Sequence, residues 1–169
     1  MGRKGDIELQ VLQKIGESLV SFNMEEALDQ VLDILAKELG MTRGTITLLD
    51  KNGELSIEVA HGLTDKEKSR GRYKVGEGVT GKVVESGESI IVPKIGEEPM
   101  FLNKTKAREK ISRDDMSFVC VPIKLGKSVL GAFSVDKLFE EGASLDDDLR
   151  LLSIISSMIA QSIQMNEVM

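Results

Sequence analysis

Phe118-Val-Cys-Val-Pro-Ile-Lys-Leu125, the link Gly126-Lys-Ser128 and Val129-Leu-Gly-Ala-Phe-Ser-Val135 form the stretch whose reading decides the fold. Both flanks are apolar and rich in β-branched residues, which suits strands. A glycine that can take φ > 0 at the first central position of the link suits a tight, II′-like hairpin turn. After a break at Glu140-Glu141-Gly142, a helical pattern runs from Leu145 to about Met165. A hairpin feeding a long helix predicts a small α+β domain with an antiparallel sheet.

That helix is apolar over more than one face. At 100° per residue, Leu145, Leu149, Leu152, Ile155, Ile159 and Ile163 fall on one stripe about 120° wide. Leu151, Ile154, Met158 and Met165 form a second stripe beside it. Together they span roughly 220°, where packing on one sheet needs only about 100°. Either the second stripe meets a partner helix in a homodimer, or the chain's own N-terminal helix covers it. Ser144-Leu-Asp-Asp147 reads as a capping box, and Asp146, Asp147 and Asp148 complement the helix dipole.

Upstream, Ile7 to Phe22 reads as a helix with Ile7, Val11, Leu12, Ile15, Leu19 and Phe22 on one face. A second runs from Met24 to Leu39, with Asn23 placed to cap it and Gly40 to close it. Strands are expected at Gly44–Leu49 and Leu55–His61, joined by the hairpin signal Asp50-Lys-Asn-Gly53. A short strand near Arg72–Val75 leads into Gly76-Glu-Gly-Val-Thr-Gly81, a short helix Lys82–Glu85 and a strand Ser89–Pro93. Gly96 to Asp115 reads as a long polar loop, a kind that is usually functional or mobile. The expectation is one domain over 1–169: helices over 7–39, sheet and pocket loops over 44–136, and a signalling helix over 145–169. About six strands form the sheet, with terminal helices on one face and loops on the other. A pocket would lie between the sheet and Tyr73–Asp115.

Composition narrows the class. A net charge of −6 argues against a duplex-DNA surface, which needs a basic face. The single cysteine, Cys120, forbids an internal disulfide and fits a reducing cytosol. No apolar run reaches membrane-span length, and the first residues lack a signal peptide's apolar core. A cytoplasmic domain is expected, with no nucleic-acid or membrane contact of its own.

Gly76-Glu-Gly-Val-Thr-Gly81 sets three glycines before a helix, so its N–H groups could hold an anion, or the glycines could serve only a tight turn. Gly78, Thr80 and Gly81 are the contacts to watch. Arg70, Arg72 and Lys74 alternate on the predicted short strand and so share a face. Lys104, Lys106, Arg108, Lys110 and Arg113 concentrate positive charge in the long loop. An arginine fork would suit a carboxylate; the alternative is a solvated surface whose lysines blunt a sheet edge. His61 has no partners at metal-ligand spacing, and Cys120, mid-strand between valines, reads as a buried thiol. No catalytic or metal-binding set emerges.

Val75-Gly-Glu-Gly-Val-Thr-Gly-Lys-Val-Val-Glu-Ser-Gly-Glu, Val92-Pro93, Val119-Cys-Val-Pro-Ile-Lys and Leu130-Gly-Ala-Phe-Ser-Val-Asp together resemble the GAF domain pattern across nearly the whole chain. Glu98-Pro-Met-Phe-Leu-Asn-Lys-Thr105 with Arg108, and the run Leu151 to Gln161, resemble the GAF domain of NifA-type transcription activators. The resemblance implies a six-stranded antiparallel sheet, homodimerisation through terminal helices, and a regulatory role beside an AAA+ ATPase that acts on sigma-54 RNA polymerase. It implies no enzyme activity here. Some NifA-type domains respond to 2-oxoglutarate, so the expected ligand is a small anion held by Arg72, Lys74, Gly78, Thr80, Gly81, Arg108 and Arg113. The expected dimer contacts are Leu151, Ile154, Met158 and Met165. The first alternative is a cyclic-nucleotide GAF domain: Asp136-Lys137 stands where that group has Asn-Lys, though the later phenylalanine is Leu145. The second is a GAF-type methionine sulfoxide reductase, which the lone cysteine disfavours.

Overall fold

Two helices lead the computed structural model, which describes residues 2–20, 23–97, 116–142 and 144–168. They are α1 (Gly2–Ser18) and α2 (Met24–Leu39). Strands β1 (Arg43–Leu49) and β2 (Glu54–His61) follow, then α3 (Asp65–Ser69), β3 (Arg72–Lys74), α4 (Gly78–Ser86) and β4 (Ile90–Val92). A 3-10 turn, Ile95–Glu97, comes next, and β5 (Met116–Leu125), β6 (Ser128–Leu138) and α5 (Asp146–Val168) complete the order. All six strands join one antiparallel sheet, ordered β3-β2-β1-β6-β5-β4. None of the described helices is long and apolar enough to cross a membrane.

Local chemistry explains most boundaries. Asn23 Oδ1 accepts the Glu26 N–H at 3.0 Å, and Gly40 closes α2 at φ +68°. The first hairpin forms, but with a three-residue loop. Gly53 N–H bonds to Asp50 O, Asp50 Oδ1 accepts from Asn52 and Glu54 N–H, and Gly53 sits at φ +80°. Between β5 and β6, Leu125 faces Ser128 across a two-residue turn with Gly126 at φ +58°.

Four differences have local causes. Helix α1 occupies Gly2–Ser18 rather than 7–22, because its polar first turn carries no apolar periodicity to announce it; Phe22 lies outside the described residues. Helix α3 went unread, although Thr64 and Glu67 form a reciprocal capping box, Glu67 N–H to Thr64 Oγ1 at 3.1 Å and Thr64 N–H to Glu67 Oε1 at 2.9 Å. Helix α4 starts four residues early, at Gly78. At α5, Ser144 Oγ accepts from Asp146 N–H at 3.2 Å, one residue short of the expected capping box. Of the long loop expected over 96–115, residues from 98 on lie outside the described set.

The sheet separates two cores. On one face α1, α2 and α5 pack Val11, Ile15, Leu32, Leu35, Leu152, Ile155 and Ile159 onto Ile46, Val121, Phe133 and Val135. On the other, α4 packs Val79 and Val83 onto Leu55, Phe118, Cys120 and Ala132. Helix α5 is also pinned by polar contacts: Ser156 Oγ donates to Pro122 O at 2.6 Å, and Lys137 Nζ lies 3.1 Å from Asp148 Oδ2.

The two readings of the second α5 stripe divide it. Leu151 is buried in the helix-side core and thus unavailable to a partner in this conformation. Met158 is half-buried, with its Cε 3.6 Å from where a Cβ on Gly16 would stand, so α1 lies against it. Ile154 and Met165 stay 49% and 63% exposed. The Lys4–Asp147 ion pair and the Gly16–Met158 contact set α1 and α5 side by side and parallel. Leu9 and Val20 of α1 are exposed as well.

Candidate functional site

The face of the sheet opposite the terminal helices is fixed by glycine and strand alternation. A Cβ on Gly44 would stand 2.9 Å from Leu32 Cδ2, so Gly44 faces α2; its neighbours Arg43 and Thr45 face the other way. Across from β1, β6 supplies their register partners: Arg43 with Asp136, Thr45 with Ser134, Thr47 with Ala132. The result is a polar row set into the sheet. Arg43 Nη1 approaches Asp136 Oδ2 at 3.8 Å, and the Thr45 and Ser134 hydroxyls lie 2.6 Å apart. Asp136 is only 1% exposed, so its charge depends on such partners to offset desolvation.

The row runs into the apolar α4-side core at Ala132, beside Leu55, Cys120 and Phe118, with half-buried Tyr73 packed against it. This face therefore grades from a charge pair, through hydroxyls, to hydrocarbon. Its polar groups are buried and satisfy one another, Ser134 at 6% and Asp136 at 1% exposure.

Strand β3 places the expected cations elsewhere. Tyr73 pairs with Leu55 and packs into the α4-side core, so Arg72 and Lys74, one residue either side, take the opposite face. Arg70 is not on the strand at all; it caps the C-terminus of α3 in a right-handed helical conformation. Arg108 and Arg113 lie outside the described residues.

The glycine loop closes on itself. Gly76 N–H donates to Gly81 O at 2.8 Å, and Gly81 N–H donates to Glu77 O at 2.9 Å. A Cβ on Gly81 would stand 2.5 Å from Lys74 O, so only glycine permits this approach. The Glu85 carboxylate lies beside Gly76, 2.6 Å from where its Cβ would be, which disfavours an anion there. Gly78 takes φ +65°, and Thr80 turns inward, its hydroxyl bonded to the Cys120 thiol. These residues are accounted for by turning and packing.

Burial pushes the Cys120 thiol up to about 12, and the Thr80 hydrogen bond pulls only weakly against it. A thiol held protonated and out of solvent is a poor nucleophile. His61 sits half-buried at the end of β2, and no metal-ligating cluster exists among the described residues. Lys137, beside Asp136, turns to the helix side to pair with Asp148.

The polar row was missed in the sequence because its partners are distant in the chain, Thr45 and Ser134 being 89 positions apart. The signal that could have found it is the alternation Arg43-x-Thr45-x-Thr47 against Ser134-x-Asp136 in strands otherwise apolar.

Comparison with known proteins agrees with this architecture. The chain is 36% identical over 147 residues to the nitrogen fixation protein VnfA of Azotobacter vinelandii. It is 34% identical over 168 residues to the Nif-specific regulatory protein of Herbaspirillum seropedicae. Those alignments cover 86% and 96% of this chain but only 28% and 30% of the relatives, so the chain spans less than a third of their length. Among solved structures, the A. aeolicus nlh2 GAF domain in an inactive state superposes with a TM-score of 0.85 at 26% identity, covering 94% of this chain and 96% of that one. The free methionine-R-sulfoxide reductase of Neisseria meningitidis, in complex with its substrate, shares the fold at a TM-score of 0.80 and 17% identity, covering 97% of this chain and 92% of that one. With residues 23–164 matching the GAF domain family over a sheet and helices arranged as described, the chain belongs to that family.

Proposed function

We propose that this chain is the regulatory sensory domain of a NifA-like, sigma-54-dependent transcriptional activator, controlling an adjacent AAA+ ATPase without catalysing a reaction itself. The observation that carries the reading is the similarity to Nif-specific regulators over nearly all of this chain and under a third of theirs. It leaves room in such relatives for further domains. A small anionic metabolite is the proposed input, with 2-oxoglutarate first. Arg43, Thr45, Thr47, Ser134 and Asp136 form the floor of the site, and Arg108 and Arg113 are candidate cations from the loop. The proposed output passes through α5 in a homodimer that forms in the cytoplasm.

Two observations weigh against the alternatives. Lys137 and Asp136 are engaged by Asp148 and Arg43, which argues against their acting as a cyclic-nucleotide motif. The buried, protonated Cys120 argues against sulfoxide reduction.

The test uses the longer activator that contains this sequence, assayed for ATP hydrolysis and sigma-54-dependent transcription with and without residues 1–169, each with added 2-oxoglutarate. Deletion is expected to change activity in either direction and to abolish any response to the metabolite. Equal activity of the two forms under all conditions overturns the regulatory role. A response surviving deletion assigns the metabolite to another domain.

A further inference from the structure

We propose that a groove at the β2–β3 edge is a second binding site, outside the polar row, for a small molecule bearing a carboxylate or phosphate group. The groove holds about 300 Å³, at the low end for small-molecule sites, roughly 300–1,000 Å³. Ser56 and Ile57 of β2, Asp65, Lys68 and Ser69 of α3, and Gly71 and Arg72 line it.

Its walls are held by specific local structure. The capping box on α3 fixes the short helix from which Lys68 and Ser69 project. Gly71 brings that helix onto β2: its N–H donates to Lys68 O at 3.0 Å, and its own carbonyl accepts from Ile57 N–H at 3.3 Å. A Cβ there would stand 2.2 Å from Ile57 Cδ1, so a larger residue would push the walls apart. Ser56 and Arg72 are register partners, which places hydroxyl and guanidinium side by side.

The charge pattern selects the ligand. Lys68 and Arg72 are two cations on one concavity, and among the described residues neither side chain has a hydrogen-bond or ion-pair partner. Asp65 is the one carboxylate among the described residues of the lining, although Lys68 also borders a neighbouring hollow that holds Glu25, Glu26, Asp29 and Glu58, so Arg72 is the cation that faces this groove alone. Two like charges facing one cavity repel, and an anion between them relieves the repulsion. Arg72 can grip a carboxylate or phosphate with two parallel N–H donors, while Lys68 acts as a point charge. Ser69 Oγ already donates to Lys66 O at 2.8 Å, so Ser56 supplies the hydroxyl proton for the ligand.

The test is titration of the isotope-labelled 169-residue chain with sodium phosphate and, separately, sodium malonate, at constant ionic strength set with chloride, followed by amide NMR. Saturable shifts centred on Ser56, Ser69, Gly71 and Arg72 are expected. Lys68→Gln and Arg72→Gln should each weaken binding about tenfold or more. Lys127→Gln, on the distant β5–β6 turn, should leave it unchanged. Stronger saturation by phosphate than by malonate identifies a phosphoryl head group, and the reverse a carboxylate; either supports the site. Shifts that chloride alone reproduces, or that both glutamine variants retain, overturn it. Saturable shifts confined to Thr45 and Ser134 also overturn it, and assign the anion to the polar row instead. None of these outcomes depends on the ATPase experiment.

Discussion

Substituting Ile154 by aspartate should weaken self-association without unfolding the chain. Burying an isoleucine side chain fully is worth about 1.5–3 kcal/mol. Ile154 is 49% exposed, so roughly half, about 0.7–1.5 kcal/mol, remains to be gained against a partner. A two-fold interface uses the residue twice, which brings the loss to about 1.5–3 kcal/mol per dimer. That is on the order of ten- to a hundredfold in dissociation constant, before the added cost of desolvating a carboxylate. Met165→Asp should behave similarly, since its side chain is more exposed still. Leu151→Ala should do the opposite: a buried leucine truncated to alanine costs about 2–5 kcal/mol of folding stability, with little direct effect on association. Sedimentation from about 1 to 100 micromolar, where ordinary interfaces dissociate measurably, reads the first effect, and urea unfolding reads the second. A wild-type chain that is monomeric throughout that range refutes the dimer. An Ile154→Asp chain that dimerises as tightly as wild type refutes this placement of the interface.

Gly81→Ala should destabilise by about 1–3 kcal/mol in urea melts, because the new methyl meets the Lys74 carbonyl, and a neutral result would contradict the close approach. Lys137→Met should cost about 1–2 kcal/mol, discounted because Lys137 is about a third exposed, and adding Asp148→Leu should recover much of it in a double-mutant cycle; additive losses would mean the pair does not couple. The Cys120 pKa is raised on folding, so its contribution is whole below the unfolded thiol's pKa and is lost as pH climbs toward about 12. Above about pH 9 the stability advantage of wild type over Cys120→Ala should therefore shrink by up to about 1.4 kcal/mol per pH unit, and a constant difference would contradict the buried neutral thiol. If the chain is part of an activator as proposed, inserting one to four alanines after Met165 should make regulation vary with helical phase and partly recover near a full turn, about 3.6 residues; a flat response would point to direct docking on the proposed ATPase.

What could be read from the sequence was local. The β5–β6 hairpin, the Asn23 cap and the Gly40 stop each depend on a few adjacent residues, and all three hold. Sidedness was harder, because it depends on register. Whether Arg72 or Tyr73 faces the α4-side core is settled by pairing with Leu55 on β2. The register of β2 against β1 itself shifts between Ile46 and Thr47, where Ile46 meets Val59 but Thr47 meets Ile57. Alternation along one strand cannot reveal that slip. Glycine was ambiguous for a related reason: in sequence Gly81 fits a ligand contact or a tight turn alike, and the Lys74 carbonyl that excludes a Cβ there is seen only in the closed loop.

If the domain relays a signal as proposed, the thinness of the sheet decides how. A single β-sheet has no interior layer, so adjacent residues on one strand touch opposite cores. On β6, Asp136 belongs to the polar row and Lys137 holds the first turn of α5 through Asp148. Four strand positions back, Ala132 belongs to the α4-side core, while Phe133 beside it is buried in the helix-side core. A ligand that alters how Asp136 is held must therefore also bias the backbone that carries Lys137. Among the described residues helix α1 has no equivalent tie: its polar contacts to α2 and α5 there are exposed ion pairs, of little energetic weight. If the domain has two states, the ionic and hydrogen-bonded anchors at Asp148 and Ser156 make α5 the element whose position distinguishes them. The free energy available to a neighbour is then the difference in how well those anchors are satisfied in each state, and no larger.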